Sequence, residues 1–297
     1  MKYKFVVWGI GAAYNKHLNL LRYYELKNEI EVVAVTANDL PAAKTIDGYK
    51  LIHPSELSEV EFGYMMIMNE ASFMEIRETA LGIGVAAEKI LSYKILDIPN
   101  LELEQYIKLK ESRISIISNN CWGGTIYNTL GMECLSPFKN LFLKDDSYLR
   151  MLGNLDHYLS CNPKFGGWAT DIHKGNTYPI LKLDDVLIHC NHDSEFETAL
   201  RNWNRRLKKL NRENLFIEMY TENEKCAQDF IRVQGFKKKI CFVPFKGSKK
   251  GLYELELRPG QSEFWEVVIS SARIGGNSIA YNIIDLLNGE ECSRCAS

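Results

Sequence analysis

The sequence predicts an α/β protein of two parallel-sheet domains, an N-terminal Rossmann-like domain over residues 1–110 and a larger α/β domain over residues 111–297. Three observations carry that prediction. Short β-rich runs alternate with amphipathic stretches along most of the chain, an order that argues for parallel strands joined by helices. Val32, Val33, Ala34 and Val35 form a continuous apolar run, as in a strand buried on both faces. Two glycine-containing turns, in "VVWGIGAAYN" and "SNNCWGGTIYN", stand where a strand hands over to a helix.

In the first domain the order reads strand ("KYKFVVW"), helix ("YNKHLNLLRYYELK", with Leu18, Leu21, Tyr24 and Leu26 near helical spacing), strand ("IEVVAVT"), strand ("FGYMMIM"), helix ("SFMEIRETALG") and strand ("EKILSY"). "LDIPNLELEQYIKLKES" opens with a proline turn and continues as a charged amphipathic helix, a connector between domains.

A second series starts at "RISIIS" and runs through helix ("GGTIYNTLG"), strand ("KNLFLK"), helix ("DSYLRMLGNLDHYLS", capped by Asp145 or Asp146), strand ("DVLIHC"), helix ("SEFETALRNWNRRLKKL"), strand ("NLFIEMY"), helix ("ENEKCAQDFIRVQG") and strand ("KKICFVPF"). Ser194 and Glu197 have capping-box spacing, and Gly235 ends the fourth helix. These strands are expected to form a second α/β sheet. Residues 161–177 show no regular period and read as a long surface loop. Beyond Pro244, a hairpin is expected around "KGSKKGLYELELR" and a helix in "SIAYNIIDLLNG".

The 297 residues are 46% hydrophobic, sufficient to bury cores without staples. A formal net charge of −2 gives no global attraction to nucleic acid. The apolar run before Gly9 is too short for a signal-peptide core or a membrane span, and no later stretch reads as transmembrane. Eight scattered cysteines, several inside strand-like runs, fit a reducing, cytoplasmic compartment.

Gly9 and Gly11 follow the first strand as in a dinucleotide or nucleotide-sugar fingerprint, where glycine lets backbone amides approach a pyrophosphate at a helix N-terminus. The third small position falls on Tyr14, and the acidic candidate after the second strand is Asp39, beside Asn38, farther along than the fingerprint expects. These residues are the candidates for holding a nucleotide-linked sugar. The glycines are equally explained by the tight turn that any such unit needs.

In an open parallel sheet, ligands bind beyond the carboxyl ends of the strands. That rule gathers Ser118, Asn119, Asn120, Cys121 and Trp122 from one strand, His189, Asn191, His192 and Asp193 from another, then Glu218, Tyr220 and Lys246. A thiol at a helix N-terminus is shifted toward thiolate, and an imidazole can take its proton. Cys121 is therefore the candidate nucleophile, with His189 or His192 as base and Asp193 as orienting carboxylate. Gly123 and Gly124 would leave amides open as an oxyanion hole, Asn119 and Asn120 would add donors, and Trp122 would wall the pocket.

Each of these residues also has a plainer reading: Cys121 as a buried small residue in a glycine turn, His189 as a satisfied core histidine, His192 and Asp193 as helix-capping residues. Another reading discards the covalent step. The turn would then bind phosphate or carboxylate through amides, with Lys246, Lys249 or Lys250 as counter-charges, in a glycosyl or phosphoryl transferase or a non-catalytic nucleotide-sugar binder. Arg201, Arg205 and Lys208 share a helix face. Cys292 and Cys295 have the spacing of a zinc half-site without a second pair, and His157 and His173 lack a partner at helical spacing, so no metal site is expected.

Residues 3–95 resemble the small Rossmann-like domains that precede transferase modules in surface-polysaccharide enzymes. From "ISIISNNCWGGTIYNTLGMECLSPFKNLFL" through "DVLIHCNHD" and "ALRNWNRRLKKLNRENLFI" to "DLLNG", the chain resembles a bacterial exopolysaccharide-biosynthesis-like family, catalogued as a domain of unknown function. The resemblance implies a transferase acting on surface-polysaccharide precursors. It carries over to Asn119, Asn120, Cys121, Trp122, Gly123, Gly124, His189 and His192, with Cys190 and Asn191 standing where an aromatic residue is usual between the paired histidines. The reaction expected is transfer of an acyl group from an acyl thioester through Cys121 to a sugar hydroxyl.

Overall fold

The computed structural model describes residues 2–171, 175–247, 249–257, 260–273 and 281–290. His173, Cys292 and Cys295 lie outside them, as does part of "SIAYNIIDLLNG". The chain divides into two compact units, Met1–Glu111 and Ser112–Ser297.

The first unit comprises β1 (Tyr3–Trp8), α1 (Ala12–Leu26), β2 (Ile30–Thr36), β3 (Thr45–Ile46), β4 (Tyr49–Ile52), β5 (Tyr64–Ile67), α2 (Phe73–Gly82), β6 (Ile90–Ser92) and α3 (Leu103–Glu111). Its sheet runs β3-β4-β2-β1-β5-β6, parallel except for the antiparallel β3–β4 pair. The chain winds outward from β1 to one side and then crosses to β5 on the other. This creates a topological switch point at the carboxyl ends of β1 and β5. Val6, Trp8, Ala34, Met65 and Ile67 pack into one core with Ile76 and Ala80 of α2.

The second unit contains β7 (Ser115–Ser118), α4 (Trp122–Thr129), α5 (Asp145–Gly153), α6 (Leu155–Ser160), β8 (Lys164–Thr170), β9 (Thr177–Leu183), β10 (Val186–His189), α7 (Phe196–Leu207), β11 (Leu215–Tyr220), α8 (Glu224–Arg232), β12 (Lys238–Val243), β13 (Leu252–Glu254), α9 (Phe264–Ser271) and α10 (Ile283–Asn288). Its parallel sheet runs β13-β12-β11-β7. The expected single sheet is in fact two, because β8, β9 and β10 form a separate antiparallel sheet in the order β10-β9-β8.

Several local expectations are corrected by the same physics. Residues 161–177, read as a loop, contain β8. A bulge between Phe165 and Gly167, with Gly167 at φ +119°, breaks the alternation on which a strand reading depends. It also brings Phe165 and Trp168 into edge-on contact at 5.7 Å. "KNLFLK" contributes only an isolated bridge, Phe142 to His189. The long helix expected after Lys144 breaks at Asn154 into α5 and α6, and Asp145 and Asp146 lie in its first turn, with Lys144 at the cap. Glu195 takes the cap position of α7, so the capping box from Ser194 is not formed. β13 joins β12 in parallel where a hairpin was expected. Asn223 caps α8 through its side chain.

Candidate functional site

The site grows from the end of β7. Asn119 is fully buried, and its side chain continues the ladder between β7 and β11 past the last strand pair. Its Nδ2 donates to the Tyr220 carbonyl, and its Oδ1 accepts from the Tyr220 amide, both at 3.0 Å. A side-chain amide here imitates a peptide group. Asn120 is spent just as fully: Nδ2 donates to Asn119 Oδ1 at 2.9 Å and to both carboxyl oxygens of Glu218 at 3.0 Å, while Oδ1 accepts from the Trp122 amide at 2.6 Å. Both asparagines are therefore scaffolding for the turn, in place of the substrate donors expected.

The glycines also act in a way other than expected. A Cβ on Gly123 would lie 2.5 Å from Ser118 Oγ and 2.8 Å from Ile116 Cγ2; one on Gly124 would lie 2.9 Å from Asn140 Oδ1. They are needed so that α4 can start flush against β7 and the 139–140 segment. Since Ser118 Oγ accepts from the Gly123 amide at 3.1 Å and Asn120 takes that of Trp122, two amides of the expected oxyanion hole are already occupied. The same bonds occupy two of the amides that the anion-binding reading would use. Trp122 is a core residue, fully buried, stacked on Phe216 at 6.0 Å and donating to the Tyr281 hydroxyl at 2.9 Å. It walls no pocket.

What this scaffold holds up is the sulfur. Cys121 is the N-cap of α4, half-buried, and its Sγ lies 3.3 Å from Nε2 of the exposed His192. Both expected partners of a thiol–imidazole pair are brought together, although His192 arrives from the turn after β10 of the antiparallel sheet.

The other expected base takes no part in this contact. His189 turns to Tyr178, whose hydroxyl is 3.3 Å from Nδ1, and packs against the Phe142 ring. Burial, with Lys144 nearby, holds its pKa below the usual imidazole value. Asp193 anchors the turn to α7, accepting from Asn202 Nδ2 at 3.0 Å, rather than orienting the imidazole. Lys246 is exposed three residues beyond β12, two strands from β7, or about 10 Å at ordinary strand spacing.

Beneath the thiol lies a group whose role the sequence left open. Glu218 is fully buried on β11 opposite Ser118, and burial pushes its carboxyl up to about 8 against the hydrogen bonds from Asn120 and Ser118. The signal was a lone acid inside the apolar run "NLFIEMY". Tyr220, close enough to feel charge on both Cys121 and Glu218, is kept protonated by burial.

In the first unit, Gly9 sits at the switch point with φ +117°, its amide donating to the Thr36 carbonyl at 2.8 Å. A Cβ there would lie 3.1 Å from the Met68 carbonyl oxygen. It closes the turn. Tyr14 is fully buried, and Asn38 accepts from Trp8 Nε1 at 3.2 Å beside the exposed Asp39. Gly11 alone of the two glycines has open space around a side-chain position. With one glycine amide occupied and tyrosine filling the third small position, these residues do not fit a pyrophosphate cradle, and no chemistry is assigned to them.

Among the described residues no helix is long and apolar enough to cross a membrane. Residues 92–286 match the family described as a domain of unknown function, DUF1919, and residues 1–91 match the family described as C2185-like, N-terminal. An uncharacterized protein of Haemophilus influenzae is 34% identical over 151 residues, covering 49% of this chain and 70% of that protein. The crystal structure of UDP-D-quinovosamine 4-dehydrogenase from Vibrio fischeri aligns with 34% of this chain and 82% of its own at 23% identity. Its TM-score of 0.26 is too low to carry an argument.

Proposed function

The chain belongs to the DUF1919 family, and on that premise we propose that it is a transferase in which Cys121 carries the transferred acyl group as a thioester, with His192 as base. The observation that carries this reading is the 3.3 Å contact between Sγ and Nε2. His192 takes the thiol proton, and the thiolate attacks the carbonyl carbon of an acyl thioester. The S–C bond to Cys121 forms, that to the donor breaks, and the departing thiolate leaves with the proton held on His192. In the return half, an acceptor hydroxyl gives its proton to His192, its oxygen bonds the acyl carbon, and the bond to Cys121 breaks. The Cys121 sulfur then recovers the proton.

With two amides of α4 occupied by Asn120 and Ser118, the Tyr220 hydroxyl is the donor this reading offers to the developing oxyanion. The acceptor proposed is a sugar hydroxyl on a surface-polysaccharide or nucleotide-sugar precursor, on the strength of the resemblance of "SNNCWGG" to exopolysaccharide-biosynthesis-like proteins.

Incubation with a panel of acyl thioesters, read by intact mass and peptide mapping, tests the reading. One acyl mass is expected on Cys121, absent from Cys121→Ser, and formed about 100-fold more slowly in His192→Ala. Failure of every donor to label Cys121, with binding of nucleotide-sugars alone, would sink it.

A further inference from the structure

The buried acid under the thiol has no part in the steps above, yet the connection of the cysteine turn to the sheet through Asn120 ends on it. Glu218 receives Asn120 Nδ2 on both oxygens at 3.0 Å and stands opposite Ser118 across the β7–β11 pair, close enough for that side chain to lower its pKa. The remaining oxygens of those two residues accept the first two amides of α4, Trp122 at 2.6 Å and Gly123 at 3.1 Å. One carboxyl group thus fixes Asn120 and faces Ser118, and those two side chains hold the start of the helix whose N-cap is Cys121.

A simpler scaffold would use an apolar residue here, as the neighbouring positions of β11 do, because burying an acid without a cation is costly. Resting on the reading of Cys121 as a nucleophile, we propose that Glu218 is the positioning acid of the site: through Asn120 and Ser118 it sets the first turn of α4, holds the sulfur against His192, and makes thiol reactivity answer to its own proton.

The surroundings of Glu218 favour its neutral form. Besides Ser118 of β7 and Asn120 beside the thiol, the titratable groups that face it are Tyr148 of α5, Tyr220 of its own strand and Cys241 of β12, none of them a cation. The Tyr148 hydroxyl is tied to the backbone carbonyls of Ile117 and Glu218, both at 2.8 Å. Asp145, at the start of α5, adds a further acid near Tyr220 and Cys241. The carboxyl therefore keeps its proton at neutral pH and releases it near pH 8. Once ionised it places a negative charge one residue from the sulfur and opposes thiolate formation.

The test is the rate of Cys121 alkylation by iodoacetamide, resolved by peptide mapping between pH 6 and 10, with no donor present. Glu218→Gln, which keeps the shape of the neutral acid, is expected within about twofold of wild type at pH 7. It should also lose the extra inflection near pH 8 that the wild-type profile shows, giving a single titration curve in its place. Glu218→Ala, matched for folded content by circular dichroism, should alkylate about tenfold more slowly. An unchanged profile in Glu218→Gln overturns the proposal, and does so even if Glu218→Ala fails to fold. A wild-type rate in folded Glu218→Ala overturns it too. Because no donor is involved, loss of the thioester reading and loss of this proposal show up separately.

Discussion

Among its described residues the second unit brings two cysteines against histidines, and the two pairs differ in nearly everything except residue type. Cys121 Sγ lies 3.3 Å from His192 Nε2; Cys161 Sγ lies 3.9 Å from His157 Nε2. Cys121 is the N-cap of an eight-residue helix, where the helix dipole favours negative charge. Cys161 is the C-cap of α6, where it disfavours it. The Cys161 thiol donates to the His157 carbonyl at 3.4 Å, and His157 Nε2 is 3.1 Å from Asp184 Oδ2. On the proposed reading, the end of the helix and the packing beneath the sulfur set the two thiols apart, since of these two Cys121 stands over the buried Asn120–Glu218 pair.

Altering that network gives the largest expected effect. Glu218 has a carboxyl raised from 4.5 to about 8 in the folded protein. Between those values the folded state holds one proton more than the unfolded state, so stability falls as pH rises and levels off above pH 8. The loss is about 5 kcal/mol at full extent. Urea unfolding of Glu218→Gln against wild type should show similar midpoints at pH 5 and a gap that widens, in the variant's favour, up to pH 8. A gap independent of pH would show that the acid is not held neutral, and would remove the main difference between the two cysteine sites.

Next in size is Gly123→Ala. Its Cβ would meet Ser118 Oγ at 2.5 Å and Ile116 Cγ2 at 2.8 Å, and neither can retreat from the core without loss. A cost of about 3 kcal/mol is expected by urea denaturation, with slower alkylation of Cys121 in the folded fraction and no change at Cys161. Gly11→Ser in the first unit serves as the control. Its side-chain position is open and serine is a good N-cap, so a change below about 0.5 kcal/mol is expected.

Much of this architecture could be read before any coordinates. Periodicity placed β1, α1, β2, β5, β7, β11 and β12, because apolar runs and amphipathic stretches leave a direct trace in residue order. The Cys121–His192 pairing was also legible, though by a route the fold does not take. The carboxyl-edge rule assumed one parallel sheet, whereas His192 follows a strand of a second, antiparallel sheet that happens to end beside β7.

What stayed hidden depends on who packs against whom. Nothing in "SNNCWGG" says that Asn119 would extend a ladder to Tyr220, that Asn120 would be consumed by Glu218, or that both glycines serve close packing rather than open amides. β8 was hidden for a local reason, since its bulge at Gly166 and Gly167 puts two aromatic rings in contact at a spacing that a regular strand would send to opposite faces.

The central claim is that Cys121 is activated by its setting and Cys161 is not, and competitive alkylation with substoichiometric iodoacetamide at pH 7 measures it within one molecule. Labelling of Cys121 at least tenfold faster than Cys161 is expected, with the advantage lost in His192→Ala and unaffected by His157→Ala. Equal labelling of the two cysteines in wild type, or an advantage at Cys121 that survives His192→Ala, would contradict the account.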